Sequence, residues 1–131
     1  MNEIMTWTNA MTWGTVALGG AVGAWMRWGL SAWTAKHIEG VFPMGTLLCN
    51  VIGSLLLGIL TGMVTAHTIA AEPWTRLVGD GLCGALTTFS TFSMETFGLF
   101  RDGHPATSII YLASSLFLCL VAAGSGFIWA M

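Results

Sequence analysis

The stretch Pro105-Ala106-Thr107-Ser108-Ile109-Ile110-Tyr111-Leu112-Ala113-Ser114-Ser115-Leu116-Phe117-Leu118-Cys119-Leu120-Val121-Ala122-Ala123-Gly124-Ser125-Gly126-Phe127-Ile128-Trp129-Ala130 contains no Asp, Glu, Lys or Arg. A helix crossing the hydrocarbon of a bilayer needs roughly 20 mostly apolar residues. This run supplies them, and its apolar residues do not alternate, which favours helix over strand. Moving outward, three more uncharged runs appear: Leu82 to Met94, Val41 to Ala71, and the interval between Glu3 and Arg27. Short polar patches separate them, at Lys36–Gly40, His67–Trp74 and Arg101–Pro105. Helices are therefore expected near 11–34, 44–66, 75–100 and 106–130. In lipid only helices and closed barrels satisfy their own backbone, so the expected fold is an all-α integral membrane protein with four transmembrane helices.

Composition leads to the same class. Of 131 residues, 55% are hydrophobic and 8% charged, and the mean hydropathy is +0.77. Soluble domains carry about a quarter charged residues, so these charges cannot coat a water-exposed surface. Four Lys and Arg are too few to neutralise a nucleic-acid backbone. No Lys or Arg precedes the first apolar run, so the basic start of a signal peptide is missing. Trp7, Trp13, Trp33, Trp74 and Trp129 fall near the expected helix ends, where an interfacial aromatic belt would place them. Cys49, Cys83 and Cys119 lie inside apolar runs without a CxxC partner and read as small buried hydrophobes. His37, His67 and His104 fall in three different loops, which gives no metal-ligating cluster.

Orientation is weakly encoded. With an even number of helices, Arg76 lies on one side and Lys36 and Arg101 on the other, with Arg27 near a helix end. The positive-inside bias is nearly flat. One fixed orientation and insertion in both orientations with antiparallel pairing are both compatible with that balance.

The polar residues inside the apolar runs carry the functional information, because an unpaired polar group in hydrocarbon costs several kcal/mol. Thr46, Asn50, Gly53 and Ser54 share a helical face. Taken alone, Asn50 reads first as helix–helix glue. Gly19/Gly23 and Gly58/Gly62 fit the small-xxx-small spacing of close helix packing. The Gly19–Gly23 run lacks a P-loop lysine and is no nucleotide loop. Ser108, Tyr111, Ser115 and Cys119 form a polar stripe, equally suited to interhelical hydrogen bonding or to a lined path.

The third run differs from all of these. Gly79, Gly81 and Gly84 precede Thr87-Thr88-Phe89-Ser90-Thr91-Phe92-Ser93, five hydroxyls and two phenyl rings in seven residues. Such a segment faces lipid poorly, and a helix broken near the midplane is expected. Broken membrane helices expose backbone groups where they bind an ion or line a cavity. Phe89 and Phe92 share a face that Glu95 continues. Hydroxyls, an amide and positive ring edges suit a small anion; a cation path would rather use carboxylate rings or carbonyls.

The segment Gly84-Ala85-Leu86-Thr87-Thr88-Phe89-Ser90-Thr91-Phe92-Ser93-Met94-Glu95 resembles the signature of the Fluc/CrcB fluoride channel family. Gly19–Arg27 and Gly45–Gly53 are similar to two further stretches of that family, in the same order. The resemblance implies an antiparallel, dual-topology homodimer in the cell inner membrane, with two pores for fluoride export and a central structural Na⁺. Under it, Gly84 and Thr87 supply backbone carbonyls to Na⁺, and Phe89, Phe92, Asn50, Ser90 and Thr91 line the fluoride pore. Glu95, Tyr111 and Ser115 form a polar track, and Arg27 is structural or near a vestibule. Three positions depart from the family pattern: Cys119 stands for Ser, Ala123 for Thr and Ala85 for Gly. The alternative, a small multidrug-type four-helix antiporter, needs a carboxylate in the middle of an early helix, and the first two runs contain none. A non-transporting assembly subunit would have no use for hydroxyls and phenyl rings clustered behind glycines. No catalytic constellation is present, so no enzyme is expected.

Overall fold

The computed structural model describes residues 2–131, with side chains from Asn9 onward. The chain is all-helical. α1 covers Asn2–His37, α2 Met44–Thr65, α3 residues 75–86, α4 Phe89–Arg101 and α5 Pro105–Ala130. Trp7 lies outside the described side chains. α1 ends with Lys36 and His37 in its last turn, where cations complement the carbonyl end of the helix. Gly40 at φ 126° then turns the chain toward α2. α5 begins with Pro105, whose missing N–H is no loss in a first turn.

α2 and α5 are each long and apolar enough to cross a bilayer. At about 1.5 Å per residue, the 22 residues of α2 match a hydrocarbon core of about 30 Å. The expected run 75–100 is not one helix but two, α3 and α4, each too short to span alone. α3 is itself unusual. Thr75–Cys83 is wound as wide π turns, and only Gly84–Leu86 returns to α geometry. Turns of that kind gather at functional sites.

Glycines set the helix crossings. α2 and α5 pack along their lengths, and a Cβ on Gly58 would enter the Ala123 backbone of α5. Gly19 and Gly23 of α1 meet the backbone of Leu77 and Leu82 of α3 in the same way. Both small-xxx-small pairs therefore sit where backbones touch, as that spacing permits.

The burial pattern is inverted relative to a soluble bundle. Thr34, Thr46, Ser108 and Ser115 are buried, while Trp25, Phe117, Leu120, Ile128 and Trp129 face outward. Among the described residues, the largest fully buried side chains are Tyr111, Leu86 and Cys49. Helices with an apolar exterior on every side belong in lipid or against a partner. Trp13, Trp33 and Trp74 are also exposed. The three cysteines are free thiols.

Candidate functional site

The site is organised by the two residues that interrupt the third run. Thr87 (φ −81°, ψ 155°) and Thr88 (φ −151°, ψ 123°) are extended. Asn50 of α2 holds this conformation with a two-point clamp. Its Oδ1 accepts from the Thr88 N–H at 2.8 Å, and its Nδ2 donates to the Thr88 carbonyl at 3.1 Å. The clamp explains why the helix does not simply continue, since the Thr88 amide that would close a turn onto the Gly84 carbonyl is given to Asn50. The Thr91 amide is likewise diverted from the Thr87 carbonyl, donating at 3.3 Å to Thr88 Oγ1, the N-cap of α4. The carbonyls of Gly84 and Thr87 thus lose their usual helical donors. Gly53 lies beneath the break, where a Cβ would meet Thr87 Cγ2. α2 therefore supplies both the clamp and the space.

Beyond the break, α4 opens with a hydroxyl cluster. Thr88 Oγ1 donates to Thr91 Oγ1 at 3.1 Å and lies 3.3 Å from Ser90 Oγ. Ser90 and Thr91 are exposed on the subunit, next to the amide-rich, partially positive start of α4. Phe89 is 78% exposed and Phe92 7%, with ring centroids 5.9 Å apart. Phe92 in turn packs on Tyr111 at 5.3 Å.

Glu95, two turns into α4, is satisfied on both oxygens. Thr46 Oγ1 donates to Oε1 at 2.9 Å and the Tyr111 hydroxyl to Oε2 at 2.8 Å. Those two protons are committed to the carboxylate. Ser115, one turn further along α5, is 4% exposed, and its Oγ has no hydrogen-bond partner. A buried hydroxyl without a partner is costly, and the Ser115 Oγ–H is an uncommitted donor one turn from Tyr111. Asn50 spends one Nδ2 proton on Thr88 and keeps the other.

Arg27 borders a cavity of about 350 Å³ that it shares with Trp28, Ser31, Thr46, Thr88 and Thr91. Among the described residues, the ion pairs are Arg76 with Glu72 and Asp80, and Arg101 with Asp102. None involves Arg27, which lines its cavity together with the hydroxyl residues Ser31, Thr46, Thr88 and Thr91. A second cavity, of about 220 Å³, reaches Glu95 past Thr34, Phe42 and Thr46.

The structure joins Asn50, Ser90 and Thr91 through Thr88 at the start of α4, and Phe92 and Glu95 through Tyr111; Phe89 is outermost, Arg27 lines a cavity, and Ser115 lies one turn beyond Tyr111 on α5. Gly84 is exposed at the end of α3. Thr46, Thr88 and Phe42 adjoin these residues and were given no site role from the sequence. Thr46 shares a face with Asn50 and Thr88 lies in the hydroxyl run, so both had a signal; Phe42 had none.

Known proteins bear on this arrangement directly. The model of a family described as "CrcB-like protein, Camphor Resistance (CrcB)" matches residues 14–127. A "Fluoride-specific ion channel FluC" of Pseudoalteromonas translucida is 42% identical over 111 residues, covering 85% of this chain and 92% of the relative. Proteins of the same name from Saccharophagus degradans and Vibrio cholerae are 37% identical over 123 residues and 40% over 118. These cover 93% and 90% of this chain, and 91% and 94% of the relatives. With the glycine-cradled break, its hydroxyl cluster, the bilayer-length α2 and most of α5 inside that matched span, the chain belongs to the CrcB/FluC family of membrane proteins.

Proposed function

We propose that this chain is the subunit of a passive, fluoride-selective channel of the cell inner membrane that lets fluoride leave the cytoplasm. It is not an enzyme. The observation that carries the reading is the break at Thr87–Thr88, clamped by Asn50 and followed by a hydroxyl cluster at the start of α4, in a chain whose relatives are named fluoride-specific ion channels. Fluoride is strongly hydrated, so a dry apolar bore would exclude it. Donors must replace its water. Ser90 and Thr91, the second Nδ2 proton of Asn50 and the uncommitted Ser115 hydroxyl provide them, and Phe89 and Phe92 add positive ring edges. Thr46 and Tyr111 give their protons to Glu95 and so orient the wall. Arg27 would draw anions toward the cavity mouth. An inside-negative potential favours anion exit by about 2.3 kcal/mol per charge per 100 mV. The reading is tested in a bacterium stripped of its own fluoride exporter: expression of this chain restores growth in fluoride, and failure to do so despite normal membrane insertion overturns it.

The active assembly is an antiparallel homodimer with two pores. The flat Lys/Arg balance and the outward apolar faces support it. Cysteines placed in the Lys36 and Arg76 loops should each label from both sides of the membrane in intact cells. Labelling of a loop from one side only contradicts dual topology, and adding about two or three Lys to one loop should bias orientation and lower activity.

The Gly84 and Thr87 carbonyls suit a structural, non-transported Na⁺ shared by the two subunits. Their fit rests on the diverted amides of Thr88 and Thr91. When bound, the ion adds a fixed positive field at the dimer centre. Detergent-solubilised dimer should gain thermal stability with Na⁺ concentration, as a ligand bound only to the folded state requires, and not with choline. Equal stability in both salts contradicts the site.

A further inference from the structure

Phe42 stands on the short connection between α1 and α2, between Gly40 and Pro43. Its ring meets Tyr111 edge-on, with centroids 5.4 Å apart and planes at 83°. Phe92 covers Tyr111 from another side at 5.3 Å. Tyr111 is fully buried between these rings, and its hydroxyl donates to Glu95 Oε2 at 2.8 Å. Phe42 also lines the cavity of about 220 Å³ that contains Thr46 and Glu95. The Phe42 ring thus touches both Tyr111 and the cavity, which Tyr111 itself does not line.

We infer that Phe42 is a positioning residue for ion conduction: it pins the Tyr111 hydroxyl on Glu95 and keeps cavity water off that bond. The inference deepens the channel reading and rests on it for its functional arm. The edge-on contact is the favoured geometry of an aromatic pair, and it fixes the one rotatable group whose proton decides the Tyr111–Glu95 link. Without the ring, the cavity extends to the phenol. Water then competes for the Tyr111 proton and for Oε2, and the wall loses its single hydrogen-bonded arrangement. The contact comes from a loop rather than a helix, so conduction depends on a segment outside the bundle.

Tyr111 is the chain's single tyrosine, so the phenol bands in ultraviolet resonance Raman spectra report this hydroxyl alone. The test compares the parent dimer with Phe42→Leu, which retains apolar volume, and Phe42→Ala. Expected for both is a Tyr111 signature shifted from a strong donor toward a hydrated phenol, together with a roughly five- to tenfold loss of fluoride flux in proteoliposomes, while the dimer elutes as the parent does. If Phe42→Ala does not assemble, Phe42→Leu carries the comparison. An unchanged phenol signature overturns the positioning role whatever the flux. A shifted signature with parental flux overturns its link to conduction. A parent that conducts no fluoride sinks the channel reading instead, and the spectroscopic arm still decides whether Phe42 holds Tyr111.

Discussion

Asn50→Asp is expected to reduce fluoride flux by more than about a hundredfold while leaving the chain inserted. The substitution keeps the acceptor for the Thr88 amide but removes the donor to the Thr88 carbonyl. The carboxylate oxygen then faces that carbonyl, and an unsatisfied buried acceptor costs about 1–3 kcal/mol. The larger effect falls on the anion. A fixed negative charge about 5 Å from the path raises fluoride by about 3 kcal/mol at an effective dielectric of about 20, on the order of a few hundredfold in rate. Asn50→Ser, which can still donate and accept but reaches less far, should retain partial flux. Fluoride efflux from proteoliposomes, measured beside size-exclusion elution of the dimer, checks both. Flux near the parent's in Asn50→Asp would place Asn50 away from the path.

Phe92→Ile is expected to lower flux by up to about tenfold. Isoleucine fills much of the apolar space but presents no ring edge. Phe92 contacts both Phe89 and Tyr111, and an aromatic pair is worth about 0.5–1.5 kcal/mol beyond its buried area. If the ring edge faces the ion, a loss of that size appears in the barrier and corresponds to about a tenfold rate change. The same efflux assay decides it. Normal flux in Phe92→Ile would mean that the ring only packs the subunit.

These effects separate what the chain spells out locally from what only the fold brings together. The interruption at Thr87–Thr88 is legible because glycines and hydroxyls in one run are poor lipid-facing helix. So is the membrane class, because the runs at Val41–Ala71 and Gly103–Met131 hold no charge. The agent of the interruption is not legible. Asn50 reads as well as helix glue as anything else until its clamp on Thr88, 38 residues away, is in view. Thr46 reaches Glu95 across 49 residues, a pairing no local period encodes. Phe42 lies in a connection, where no helical face foretells its contact with Tyr111. The wide turns of Thr75–Cys83 also leave no periodic trace, since they depend on how α3 settles against the Gly19 and Gly23 backbone of α1.

Everything above turns on selective, passive conduction of fluoride. Purified protein in proteoliposomes loaded with both fluoride and chloride tests it, with ion-selective electrodes recording release after a potassium ionophore relieves the counter-potential. Prompt fluoride release, without ATP or a proton gradient, is expected from vesicles that retain their chloride. Fluoride retained until detergent is added, or chloride released as readily as fluoride, would contradict it.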